Sequence, residues 1–154
     1  MNNSKFFTLL MTVLTIVVLI SACEKNGENE RKISHYNNTE SHETGMNCMN
    51  CHRSGGEGEG WFNVGGTVYN EQMNAVFPNA TIRLYTGENG TGQLKGTIEV
   101  DGKGNFYTTE SIDFSGGLFP SVEGQNSTKY MTTAIGAGAC NSCHGVSTDK
   151  LWTN

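Results

Sequence analysis

The sequence is poor in positive charge: ten Lys and Arg stand against fifteen Asp and Glu in 154 residues, and nothing gathers the basic residues into a cluster. Binding of nucleic acid is thereby disfavoured, because it needs clustered cations to neutralise phosphates. Amphipathic helical spacing is lacking outside the N-terminal region, which leaves short β-type runs as the main pattern. No Ser-His-Asp set, paired carboxylates or phosphate-binding loop is discernible, so a hydrolase or nucleotide enzyme finds no support. The Gly-rich stretch before Trp61 has neither a lysine nor the flanking strand and helix that a phosphate loop requires. The one long apolar run, residues 6–20, falls short of the roughly 20 residues needed to cross a membrane. Cysteine and histidine are scarce, at five and four residues, yet their placement is ordered.

The apolar run follows Lys5 and ends in Ile20-Ser21-Ala22-Cys23. A basic residue, an apolar stretch and small residues at its end form the pattern of an export signal, and an uncleaved signal anchor is the alternative reading. The four-residue ending resembles the lipobox of bacterial lipoproteins, which implies cleavage after residue 22 and a lipid on Cys23. The expected location is the cell envelope, periplasmic or cell-surface side, with the membrane reached through that anchor. Loss of the leader removes Lys5 and no acidic residue, so the exported chain is more acidic than the whole.

Five segments are expected: a signal at 1–22, a lipidated flexible tether at 23–45, a first cysteine-bearing segment at 46–60, a β-sandwich at 61–136 and a second cysteine-bearing segment at 137–154. The tether is Glu, Lys, Asn, Ser and Thr with few aliphatic residues, too little apolar surface to offset chain entropy. Residues 54–60, Ser-Gly-Gly-Glu-Gly-Glu-Gly, read as a second flexible stretch. From Trp61 onward, runs of β-branched and aromatic residues are separated by Gly, Asn and Asp, giving expected strands at 64–69, 80–85, 94–100, 105–109 and 129–135. Alternation puts Ile82 and Leu84 on one face, and Phe106 and Val68 also read as core. Asp101-Gly102-Lys103-Gly104 between two of these runs predicts a tight hairpin. The fold class is therefore all-β, a two-sheet sandwich flanked by two loop segments.

Gly66-Thr67-Val68-Tyr69, Pro78-Asn79-Ala80-Thr81-Ile82-Arg83-Leu84-Tyr85 and Asp101-Gly102-Lys103-Gly104-Asn105-Phe106-Tyr107 together resemble the carboxypeptidase regulatory-like, or transthyretin-like, sandwich domain. That resemblance implies an Ig-like fold and brings no catalytic residues with it.

Outside the lipobox the cysteines fall in two copies of one pattern, Cys48-Met49-Asn50-Cys51-His52 and Cys140-Asn141-Ser142-Cys143-His144, with none left over. From this composition, a given cysteine followed by Cys at +3 and His at +4 is roughly a one-in-a-thousand event, and here it occurs twice. Cys-x-x-Cys-His is the attachment pattern of c-type haem: two thiols at that spacing reach the two vinyl groups of one porphyrin, and the adjoining imidazole meets the iron. The motifs resemble c-type cytochromes locally, although residues 52–139 between them are β-rich where the small cytochromes are helical.

Two covalently bound haem c groups are therefore expected, with Cys48, Cys51, Cys140 and Cys143 as attachment points and His52 and His144 as proximal iron ligands. Distal candidates are His42, then His35, with Met131 for the second iron, where a thioether would raise the potential. Met46, Met49, Trp61 and Phe62 are candidate haem-facing groups. The expected function is one-electron transfer, as a carrier and not an enzyme, with other redox proteins of the cell envelope as partners. A haem peroxidase or reductase would need an iron with an open distal site. The rival class is a surface binding module whose Cys-x-x-Cys pairs hold a structural zinc or form disulfides. A thioredoxin-like motif is disfavoured by the missing β and α alternation. If the strands run simply up and down, an even number would bring the two motifs to one pole and an odd number to opposite poles.

Overall fold

The computed structural model describes residues 29–154. The expected signal, Cys23 and the first part of the expected tether lie outside the described residues, among which no helix is long and apolar enough to cross a membrane.

The fold is all-β, in two sheets. Strand β1 (Val64–Thr67) is central in the first sheet, antiparallel to β4 (Asn105–Thr108) on one side and parallel to the two-residue β7 (Gly138–Ala139) on the other. The second sheet has the order β3-β2-β5-β6, all antiparallel: β3 (Leu94–Glu99), β2 (Thr81–Tyr85), β5 (Phe119–Glu123) and β6 (Thr128–Tyr130). Val64 and Phe106 of the first sheet meet Ile82, Leu84, Ile98 and Val122 of the second in one buried cluster that also holds Val68, Val100 and Leu118. The alternation of β2 works as expected, with Ile82 and Leu84 at 2% and 1% exposure. Fully burying aliphatic and aromatic side chains of this size stabilises a fold by about 1.5–3 kcal/mol each.

Three local expectations are corrected. The turn at residues 101–104 forms, with Gly104 N donating to Asp101 O at 3.1 Å and Asp101 Oδ1 accepting from the backbone N of Lys103 and Asn105. Yet β3 and β4 belong to different sheets, so the turn is a corner that carries the chain across the sandwich and not a hairpin. Strand β5 lies outside the five expected runs, in a stretch that holds Gly116, Gly117 and Pro120. Pro120 is tolerated where the β5–β6 ladder ends: its carbonyl accepts Met131 N, and its missing donor would face the end of β6. The run at 129–135 is strand only to Tyr130, rejoining the sheet at a single Ile135 bridge to Leu118.

The described part of the expected tether, residues 29–45, is packed against the sandwich. Ile33 bridges Thr108, Ser34 N donates to Tyr107 O, and Ser34 Oγ reaches Glu99 O at 2.5 Å, so this segment covers the outer edge of β4. Asn37 and Asn79 exchange amide bonds, and Tyr36 Oη bonds Thr81 Oγ1. Hydrogen bonds to a sheet edge, more than apolar burial, order this polar stretch.

Candidate functional site: two matching Cys-x-x-Cys-His turns on one strand

Each motif opens with a 3-10 turn, Cys48–Asn50 and Cys140–Ser142. In both, the second cysteine N donates to the first cysteine O at 3.3 Å and the histidine N donates to the same carbonyl at 3.0 Å. Cys51 (φ −106°, ψ −40°) and Cys143 (φ −114°, ψ −50°) share one backbone conformation. Asn47 caps the first turn, its Oδ1 accepting Met49 N. All four cysteines are unpaired, Cys51 and Cys143 being exposed.

The histidines are held alike. His52 Nδ1 lies 2.9 Å from Glu59 O, and His144 Nδ1 lies 2.8 Å from Asp149 O. A carbonyl can only accept, so Nδ1 donates in both, the arrangement that leaves Nε2 as the ligating atom of a neutral imidazole. For His52 the carbonyl is delivered by the Gly-rich loop, which therefore acts as a clamp and not as a flexible spacer. A Cβ at Gly58 would sit 2.7 Å from His52 Nδ1, and one at Gly56 would sit 2.0 Å from Cys51 O. Glycine is needed there for close approach.

Both turns pack on β1. A Cβ on Gly65 would lie 3.3 Å from Cys48 Cβ, and one on the next residue, Gly66, would lie 2.9 Å from Cys140 Cβ and 2.7 Å from Phe106 Cζ. Consecutive strand residues face opposite sides, so the first cysteines of the two motifs flank the same Gly-Gly pair from its two faces. The second motif is an excursion from one edge of β1: β7 pairs with Val64 and Gly65, and the chain returns at Leu151–Thr153, where Tyr69 N donates to Leu151 O and Thr153 N to Tyr69 O. Asn141, inside the motif and buried, fills the gap: its Oδ1 accepts Thr67 N at 3.1 Å and its Nδ2 donates to Met46 O at 3.0 Å and Thr67 Oγ1 at 3.1 Å. Thr67 Oγ1 also accepts Gly45 N and donates to Asn105 Oδ1 at 2.6 Å. One hydroxyl thus ties both cysteine segments to the sheet. The described residues hold seven strands, yet the motifs are neighbours, because the order is not up-and-down and β7 runs parallel to β1.

A cleft of about 720 Å³ is lined by Cys48, Cys51, His52, His42, Met46 and Phe62, among others. The His42 ring stands 5.7 Å from that of His52, which stacks on Phe62 at 4.0 Å, and Phe62 stacks on Tyr107 at 4.7 Å. Burial raises the Tyr107 phenol, which stays neutral. A second, shallower cleft of about 340 Å³ brings His144 together with Met131, Lys129, Lys150 and Trp152; Cys140 and Cys143 lie outside its lining. His35 lines neither cleft, lying exposed with Nδ1 3.5 Å from Glu99 Oε2. Met49 and Trp61 also line neither. Burial pushes the Cys140 thiol up to about 12, with Cys48 adding to the effect, and burial also raises Cys48. Thr67, Asn141, Tyr107 and the two β1 glycines escaped sequence reading; the adjacent glycines in a strand run were the one available signal of close approach.

No protein-family model, curated protein or solved structure matches this chain.

Proposed function

We propose that this chain is an exported, lipid-anchored carrier of two covalently attached haem c groups, passing single electrons between redox proteins of the cell envelope. The observation that carries this reading is the repeated turn: twice, two unpaired thiols three residues apart precede an imidazole whose Nδ1 is spent on a backbone carbonyl. That is the donor set a thioether-linked haem requires, with His52 and His144 offering Nε2 to the iron. The first cleft is of the size that accepts organic cofactors, within about 300–1,000 Å³. His42 lines the same cleft with its ring 5.7 Å from that of His52, so it would offer the iron a second imidazole.

Haem, when bound, supplies a one-electron iron couple. The chain's own residues do the rest. Cys48, Cys51, Cys140 and Cys143 prevent loss of the group, Glu59 O and Asp149 O orient the proximal rings, and the Phe62–Tyr107 stack backs His52. A single zinc held by all four thiolates fits less well, because Cys48 and Cys140 approach β1 from opposite faces. Export and lipidation at Cys23 rest on the lipobox resemblance.

Visible absorption of protein made with haem-maturation machinery tests the reading. A Soret band that survives denaturation in acid and shifts on reduction is expected, and a colourless folded product would refute it.

A further inference from the structure

The contacts that orient His52 do not end at the Gly-rich loop. Its Nδ1 lies 2.9 Å from Glu59 O and 3.3 Å from Gly60 O, so two successive carbonyls face one ring nitrogen. Residues 29–32 close on that stretch from outside. Lys32 Nζ stands 3.0 Å from Glu59 Oε2 and 3.5 Å from Glu30 Oε2. The same side chain lies over Gly60, where a Cβ would come 3.2 Å from Lys32 Cδ and 3.4 Å from Glu30 O, and where a φ of +75° already favours glycine. Asn29 takes hold of the next residue by both of its backbone polar groups: Oδ1 accepts Trp61 N, and Nδ2 donates to Trp61 O at 3.0 Å.

The segment that carries Asn29 and Lys32 is itself fixed to β4 and its continuation. Lys32 N donates to Thr109 Oγ1 and Lys32 O accepts Thr109 N, both at 2.9 Å. Ser34 N donates to Tyr107 O and Ser34 Oγ accepts Tyr107 N, each at 3.0 Å. Tyr107 is the outer ring of the stack that backs His52. Residues 29–34 therefore join the two supports of one imidazole, the carbonyls at its Nδ1 and the rings behind its face. The carbonyl at His144 Nδ1 comes from Asp149 of the C-terminal segment, which makes that turn an internal control.

We propose that Asn29 and Lys32 are positioning residues for an iron ligand: acting through Glu59, Gly60 and Trp61, they hold the carbonyls that orient His52 and keep its Nδ1 proton engaged. The stretch whose composition reads as a tether is on this account part of the N-terminal centre. The inference rests on the dihaem reading for the iron, and on hydrogen bonds alone for the imidazole. An engaged Nδ1 proton makes the ring a stronger donor, which favours ferric iron and lowers the midpoint of that centre. The Lys32–Glu59 pair is exposed and contributes little to global stability, so its effect falls on the ligand more than on the fold.

Asn29→Ala, Lys32→Met and the two combined, each in the full chain matured with haem, test the assignment. In the reduced protein, nitrogen-15-edited proton magnetic resonance reads solvent exchange of the His52 Nδ1 proton. Exchange should be about tenfold faster in the double variant, the factor that an ordinary hydrogen bond represents, less so in each single one, and unchanged at His144. Asn29→Ala alters no charge, so its midpoint reads the ligand alone. The midpoint of the N-terminal centre, the one absent from Cys48→Ala with Cys51→Ala, should rise in that protein while the other stays. Lys32→Arg keeps the ion pair and should exchange as the parent does. Arg31→Met removes a neighbouring pair made to Glu110 and not to the loop, and should change neither reading. Unchanged exchange at His52 in the double variant would overturn the proposal, and so would an equal acceleration in Arg31→Met, the mark of a segment merely loosened. Should the double variant fail to fold, the single ones decide by the same readings. A folded protein that carries no covalent haem would overturn the dihaem reading alone. There the His52 Nδ1 proton still tests the segment: present in the parent and lost in the double variant, it supports the positioning role, and present in both it overturns it.

Discussion

Replacing Thr67 by Val removes one buried hydroxyl while keeping nearly the same shape, and that hydroxyl ties Gly45, just before the first cysteine segment, and Asn141 of the second to the sheet. Thr67 is 1% exposed, so water cannot substitute for it. Its Oγ1 bonds Gly45 N at 2.9 Å, Asn141 Nδ2 at 3.1 Å and Asn105 Oδ1 at 2.6 Å. Asn141 Nδ2 retains Met46 O, but Gly45 N and Asn105 Oδ1 lose the partner that satisfies them. Asn105 is buried and Gly45 half-buried, so one polar group is stranded outright, at about 1–3 kcal/mol, and the other is partly solvated, giving an expected loss of about 1.5–3 kcal/mol. Urea unfolding of the matured protein, followed by tryptophan fluorescence and far-ultraviolet circular dichroism, reads this as a lower midpoint at unchanged slope. Thr67→Ser keeps the hydroxyl and gives up one methyl group, at roughly 1 kcal/mol. A Thr67→Val protein within about 0.5 kcal/mol of the parent, or a Ser variant no better than Val, would refute the joint.

Gly66→Ala places a methyl group against Phe106 and Cys140, both fixed by the core, and overpacking of that kind should cost about 1–3 kcal/mol in thermal or chemical unfolding. Gly136→Ala, with nothing within 4 Å, is the matched control and should be neutral or slightly stabilising. Gly58→Ala should displace His52 from the Glu59 carbonyl, altering the spectrum and potential of the N-terminal centre while leaving the C-terminal one unchanged; equal effects on both would contradict the clamp. In protein made without haem, a thiolate-selective alkylating agent near pH 8 should modify exposed Cys51 and Cys143 first and Cys140 last, because a thiol pushed up to about 12 is almost wholly protonated there. Mass spectrometry of timed samples reads that order, and early modification of Cys140 in folded protein would contradict its burial.

Local rules served well where one residue's neighbours in sequence were also its neighbours in space. Ile82 and Leu84 reached the core by alternation alone, and Phe106 and Val68 are fully buried as the pattern implied. Each Cys-x-x-Cys-His motif is legible because its two thiols and imidazole belong to one turn. The missed features depend on partners far along the chain. Pro120 looks like a breaker until the end of β6 is known to lie beside it, and Gly138–Ala139 is a strand because β1 offers a free edge. The glycines at 56 and 58 read as slack, whereas they let a carbonyl reach His52. Residues 29–45 have the composition of a tether, yet the unpaired edge of β4 orders Ile33 and Ser34. Counting strands could not place the two motifs relative to each other, because parity is informative only for an up-and-down order, and this chain crosses between sheets at Asp101.

The central claim is that both turns hold haem through thioether bonds, and the mass of the denatured, matured protein tests it most directly. Two haem masses should remain on the chain, one lost with Cys48→Ala and Cys51→Ala and the other with Cys140→Ala and Cys143→Ala. A mass equal to that of the polypeptide alone, from a folded and properly matured preparation, would contradict the account.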